Sequence, residues 1–444
     1  MARLPLRPVE PDVRLEEFPG GSAVLTCEMP GRNAAYLGLW VRVGSRHESD
    51  DEAGGSHFLE HLHFDGSASR TGMEIRRAIN GCGGWMNAGT GEEYTIYLVA
   101  VPRDKFALGY EVMAEILAAP RLAAEDFERQ KLIIGEEIGM YQDTPYLRVQ
   151  LLARELLFPG HPLGRFGAGT KESVGAMTLK RLRAFRERSY CSGALVSVAA
   201  GGITHDEHRA LFEEHLSELP EGPALQALPA PAPPSVAPTP AQRVVVEEKE
   251  CDQAHVAIVS RALSRLDERR YAQALMNAAL GGAVSSRLME EVREKRGLAY
   301  SIGSDVTGFS DVGRFAVSAG VQPNRLVEAL EVIAAELERM RCEDMDEEEL
   351  GRTKEYVRGG LLLSLEDAER VMSWAGETYV SLGRVPTVAE VLDKFESVGP
   401  AAVREAAREA LDSRTRCIAV VGPGCGAEAA ARAAGLREAT DGQG

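Results

Sequence analysis

What this sequence has little of narrows its class first. No apolar run approaches the ~20 residues of a membrane-spanning helix. No CxxC pair occurs. The seven cysteines, Cys27, Cys82, Cys191, Cys251, Cys342, Cys417 and Cys425, are isolated and odd in number, which predicts reduced, mostly buried thiols rather than a disulfide framework. Positive charge is in deficit: 50 basic residues against 67 acidic ones leave a net charge of −17. That excludes nucleic acid as the main partner, because phosphate binding needs clustered cations. The opening stretch has no apolar h-region, and Glu10, Asp12, Glu16 and Glu17 come early. The expectation is a cytoplasmic protein with no membrane partner.

What is present suggests two related halves. A chain of 444 residues is too long for one ordinary core. LPEGPALQALPAPAPPSVAPTPAQ, residues 219–242, is rich in proline and alanine and predicts an extended linker. The halves on either side share a pattern. YTIYLVAVPRDKFALGYEVMAEILAAP and GRFAVSAGVQPNRLVEALEVIAAELERM both read as strand, turn and long helix. Val101 then matches Val321, and DFERQKLIIGEEI aligns with ELGRTKEYVRGGL, pairing Phe127 with Leu350. The same order at similar intervals favours duplication. AVLTCEMP, AAYLGLWVRVG and YTIYLVAV are strand-like. GGSHFLEHL, GMEIRRAINGCG, ALGYEVMAEILAA, AAEDFERQKLIIGEEIGMYQ and TLKRLRAFRERS are helix-like. The expected fold is α+β: tandem homologous domains, 1–218 and 243–444, each a mainly antiparallel sheet layered with helices.

Three of the nine histidines crowd into GGSHFLEHLHFDG. On a helix, where each residue turns about 100°, His57 and His61 stand on one face. Two neutral imidazoles so placed can chelate a divalent ion, with Glu60 alongside as a non-ligand. This is the H-x-x-E-H order. His63 falls on another face and is expected to pack or be exposed. Catalytic zinc usually has three protein ligands and an open position. Glu136 and Glu137, ending an apolar helical stretch, are the candidates for the third, and spacing does not choose between them. Another cluster, His205, His208 and His215, sits among Asp206, Glu207, Glu213 and Glu214 and reads as an exposed surface helix.

GGSHFLEHLHFDG, GGWMNAGTGEEYTIY, GEEIGMYQDTP and SSRLMEEVREKRGLAYSIGS together resemble the pitrilysin/insulinase family of zinc metallopeptidases, in its short two-domain form. The resemblance implies one zinc ion per chain held by His57, His61 and Glu137, with Glu60 as general base. It implies that Asn87 and Ala88 lie on a strand that pairs with the substrate backbone. It implies that Arg293 and Tyr300, from the second half, orient substrate and stabilise its carbonyl oxygen. One position departs: the family usually carries a glutamate seven residues before the distal ligand, where this chain has Gln130. The implied activity is endopeptidase cleavage of extended peptides or unfolded segments. Larger relatives hold four such domains in one chain, so this chain is expected to form a homodimer or to pair with a homologous subunit. The alternative is a non-catalytic assembly subunit of the same fold.

Overall fold

The computed structural model describes residues 11–227, 229–230 and 240–436. Two compact units emerge, each built from three stretches of chain. The first takes the described residues within Met1–Ile138, Phe166–Leu228 and Leu361–Ala389; the second takes those within Gly139–Arg165, Pro229–Gly360 and Glu390–Gly444.

In the first unit, β1 (Asp12–Glu17), β2 (Ala23–Glu28), β3 (Ala34–Val41), β4 (Trp85–Thr90), β5 (Thr95–Pro102) and β6 (Leu195–Gly201) form one sheet in the order β1-β2-β6-β3-β5-β4. Only β2 and β6 pair in parallel. Alternation along the strands divides their side chains between two layers. Leu37, Leu39, Val41, Tyr97, Val99 and Val101 enter the main core. Trp40, Tyr36, Ile96 and Leu98 face the other way, against helix Ala368–Leu382. Glycine makes that second layer possible. A Cβ at Gly38 would sit 2.2 Å from the Trp40 ring, and one at Gly376 of the covering helix 2.5 Å from it.

The main core is covered by α1 (Gly55–His63), α2 (Gly72–Gly81), α3 (Phe106–Ala118) and α4 (Ala124–Asp143). Thr71 and Glu74 form a reciprocal capping box that starts α2. Leu219 is buried in this core, and Ala224 and Leu225 pack on it. The first part of the expected linker is thus fixed to the first unit, while residues 228 and 231–239 lie outside the described residues.

The second unit holds α5 (Pro145–Leu157) and strands β7 (Val244–Glu247), β8 (Ala254–Ala262), β9 (Ala299–Gly308), β10 (Gly313–Val321) and β11 (Cys417–Val421). Its order is β7-β11-β8-β10-β9, with β7 and β11 parallel and the rest antiparallel. This repeats β2-β6-β3-β5-β4 in order and in sense, so the duplication read from sequence is a duplication of fold. Val101 and Val321 both stand at the ends of equivalent strands. Phe127 and Leu350 are both buried in the first turn of equivalent helices, the second being Glu347–Ser364.

The units are not the two halves of the sequence. Every strand of the first sheet precedes residue 219 and every strand of the second follows 242, but one helix from each half folds with the other sheet. Val149, Leu152, Ala153 and Leu157 of α5 pack on Ala257, Val259, Ala419 and Val421. In return, Val371, Met372, Ala375 and Tyr379 pack on β2, β3 and β6. A single boundary at the linker therefore does not describe the packing. An amphipathic helix advertises that it buries a face, not which sheet receives it.

The cysteines are all free, as expected, but only Cys27, Cys191 and Cys417 are buried and Cys342 is exposed. Among the described residues no helix is long and apolar enough to cross a membrane.

Candidate metal centre

α1 starts where Gly54 adopts a left-handed backbone, φ 92°, a conformation that favours glycine. No local side chain caps this helix. Instead Glu48, almost fully buried, accepts hydrogen bonds from the backbone N–H groups of Gly54 at 2.9 Å and Ser56 at 2.7 Å. A carboxylate at a helix N-terminus satisfies orphan donors and interacts favourably with the positive end of the helix dipole. Phe58, Leu59 and Leu62 anchor the inward face. His57, Glu60 and His61 are left on the partly open face.

α4 brings the third group. Of the two candidates, Glu136 is exposed and Glu137 turns toward α1. The Nε2 atoms of His57 and His61 each lie 3.6 Å from Glu137 Oε2. The two imidazole rings meet edge to face with centroids 4.6 Å apart. These three residues form the one group of histidine, cysteine or acidic side chains, among the described residues, whose ligand atoms all fall within 4.8 Å of one another. Ligands ~2.1 Å from a tetrahedral ion stand ~3.4 Å apart, so the arrangement fits zinc without large rearrangement. Burial, reinforced by His61, pushes the His57 imidazole down to about 4, which keeps it in the neutral form a metal requires.

Glu60 sits on the same helix but is held elsewhere. Thr90 Oγ1 on β4 donates to Glu60 Oε2 at 2.5 Å. Burial raises the Glu60 carboxyl above its ordinary value, and the Thr90 bond only partly offsets this. A carboxylate raised toward neutrality suits a group that must both take and return a proton.

Gln130 occupies the departing position. Its side-chain oxygen accepts from His61 Nδ1 at 3.0 Å, and its amide nitrogen donates to Asp65 Oδ2 at 2.7 Å. Asn87 and Ala88 lie on β4, an edge strand of the sheet. The Ala88 N–H is taken by Asn87 Oδ1 at 2.9 Å. A cavity of about 310 Å³ opens between this strand and α1. Glu60, His61, Phe64, Arg76, Met86 and Asn87 are among its walls.

Arg293 and Tyr300 belong to the second unit. Arg293 is on a π-helical segment, Met289–Glu294, and its guanidinium stands 6.0 Å from the ring of Tyr300. Tyr300, near the start of β9, is 77 % exposed.

His63 is fully buried between Tyr97 and Tyr190, with centroids 5.2 and 5.1 Å away. Neither of its ring nitrogens has a hydrogen-bond partner among the described residues. The second histidine cluster corrects the sequence reading. Helix His205–His215 does expose its acidic residues, but His208 points into the core, bonded to Thr26 Oγ1 at 2.9 Å and Ser197 Oγ at 2.8 Å. His205 is also buried and shares Thr26. The spacing His205, His208, Phe212 marks an inward face that the surrounding charges obscured. Sequence reasoning also missed Thr90 and Asp65, whose partners are 30 residues or more away, and Glu48, which precedes α1 and reaches forward to the backbone of Gly54 and Ser56.

Comparison with known proteins agrees with this architecture. Residues 23–171 match the model described as insulinase, peptidase family M16, and residues 176–357 match the one described as the peptidase M16 inactive domain. An uncharacterized zinc protease of Streptomyces coelicolor is 37% identical over 93% of this chain and 90% of its own length. One from Mycobacterium leprae is 36% identical over 91% of each. A Helicobacter pylori protease superposes with a TM-score of 0.85 at 21% identity, covering 93% of this chain and 100% of its own. A Pseudomonas fluorescens structure described as a peptidase M16 inactive domain gives 0.84 at 22%, covering 93% and 99%. The chain belongs to the insulinase family of peptidases, M16.

Proposed function

We propose that this chain is a zinc-dependent endopeptidase acting on extended peptides or unfolded segments. The observation that carries the reading is the convergence of His57, His61 and Glu137 beside a half-buried Glu60 whose carboxyl is raised above its ordinary value. Zinc held by the three ligands would supply Lewis acidity and a water of near-neutral pKa. Glu60 takes a proton from the attacking water and returns it to the departing amine. Thr90 fixes the carboxylate for both transfers. The free edge of β4 receives the substrate as an added strand, displacing the Asn87 side chain from the Ala88 N–H. Phe64 and Met86 give the adjoining cavity apolar walls for one substrate side chain.

Arg293 and Tyr300 complete the site from the second unit of another subunit, in a homodimer or with a homologous partner. Their exposure and their closeness, with the guanidinium 6.0 Å from the ring, suit them to orient a carbonyl oxygen, where such a donor contributes a few kcal/mol. The test is metal analysis of the purified chain with a peptide-library cleavage assay, with and without chelator. Stoichiometric zinc, lost together with cleavage in His57→Ala and Glu137→Gln, supports the reading. Cleavage that survives chelation and both substitutions rejects it. A zinc-loaded chain that never cleaves would favour the non-catalytic subunit.

A further inference from the structure

Gln130, where the resemblance implies a glutamate, is not a gap in the site. Gln130 is buried, 7 % exposed, and bridges a metal-facing histidine to a carboxylate. An amide can present either its oxygen or its nitrogen to a neighbour, and the neighbours decide which. Asp65 offers only acceptor oxygens to it, so the amide nitrogen must face Asp65 and the oxygen must face His61. That oxygen can accept a proton but not donate one. His61 therefore carries its proton on Nδ1 and keeps the Nε2 lone pair toward Glu137 and the metal position. Asp65 is itself fixed, since Arg129 Nη2 lies 3.0 Å from Oδ1, the oxygen Gln130 does not use. Arg129 is braced in turn by Asp126 at 2.6 Å.

We propose that Asp65 is a positioning residue for the metal centre, acting through Gln130 to fix the tautomer and orientation of His61. The inference rests on the metal ligands proposed above. A glutamate at 130 could accept from His61, but its second oxygen would meet the oxygen of Asp65 across 2.7 Å, with no proton between them. The amide at 130 and the acid at 65 form a matched pair, and the same geometry is served if the two groups are exchanged. An asparagine at 65 would donate to a glutamate at 130, whose other oxygen would accept from His61, with net charge unchanged.

That exchange is the test. Zinc affinity is measured by chelator competition for wild type, Gln130→Glu, Asp65→Asn and the double variant D65N/Q130E. Thermal unfolding of each metal-free chain checks the fold. The expected result is that Gln130→Glu weakens zinc about tenfold or more, within the range typical of groups that orient metal ligands. D65N/Q130E returns to within about threefold of wild type. The metal-free chains unfold alike. Gln130→Glu binding zinc as tightly as wild type, or a double variant no better than Gln130→Glu, overturns the proposal while leaving the ligand set standing. A wild-type chain without stoichiometric zinc overturns the ligand set, and this proposal with it.

Discussion

Thr90 and Glu60 are 30 residues apart and on different elements, yet the hydroxyl of one donates to the carboxylate of the other at 2.5 Å. The bond ties the proposed base to the same strand that carries Asn87 and Ala88. Its role is orientation. Thr90→Val is expected to lower kcat about tenfold with little change in KM and none in zinc content. Thr90→Ser should recover most of the loss. Steady-state kinetics on a defined peptide, with metal analysis of each variant, checks this.

His63 gives a prediction about stability and pH. Burial holds its folded pKa well below the ordinary 6.5, with Arg186 adding to the effect. As pH falls through 6.5, the unfolded chain takes up a proton that the folded chain refuses. The stability is thus present above 6.5 and is lost as pH falls toward the depressed folded value. His63→Leu removes two unpartnered nitrogens at similar volume. It should match or exceed wild-type stability at pH 8. Its advantage should then grow on acidification by at most about 1.4 kcal/mol per pH unit. Urea unfolding of the metal-free chain at pH 8 and pH 5 measures both.

The exchanged helix is tested at Gly376. An alanine there gains helix propensity, up to about 1 kcal/mol, but its Cβ would stand 2.5 Å from the buried ring of Trp40. Overpacking of that kind costs about 1–3 kcal/mol. Gly376→Ala should therefore be destabilising overall and should perturb the fluorescence of Trp40. Gly360→Ala, where a Cβ meets no neighbour within 4 Å, should be neutral or stabilising.

Sharing of the site between subunits predicts complementation. Glu60→Gln chains and Tyr300→Phe chains, each with little activity, should regain part of it when mixed under conditions that exchange subunits. Continued inactivity in a mixture shown by mass spectrometry to contain heterodimers would argue against sharing.

What is legible in the sequence is local or periodic. His57 and His61 are one helical turn apart, so their shared face follows from the helix alone. The strands β2, β3 and β5 and the helices α1 to α4 follow from apolar period. The parts that escaped depend on distant chain. Glu136 and Glu137 differ only by a 100° rotation of α4, and only the packing of that helix selects Glu137. The Asp65–Gln130 bond joins two elements, and no sequence interval marks it. Helix Ala368–Leu382 shows its apolar stripe but not its receptor, which is Trp40 in the opposite half of the sequence. His208 is the exception: its inward spacing with His205 and Phe212 is present in the sequence, but the acids beside it mark the exposed face more strongly.

The proposed function stands on Glu60 moving the proton in a metal-dependent cleavage. The most direct test is kcat/KM of zinc-loaded Glu60→Gln on a peptide that wild type cleaves. An isosteric amide keeps the bond from Thr90 but cannot take up the proton. Zinc content and unfolding temperature should equal those of wild type, with cleavage reduced by a factor on the order of 10² to 10⁴. Cleavage by the zinc-loaded variant at the wild-type rate would contradict this role for Glu60.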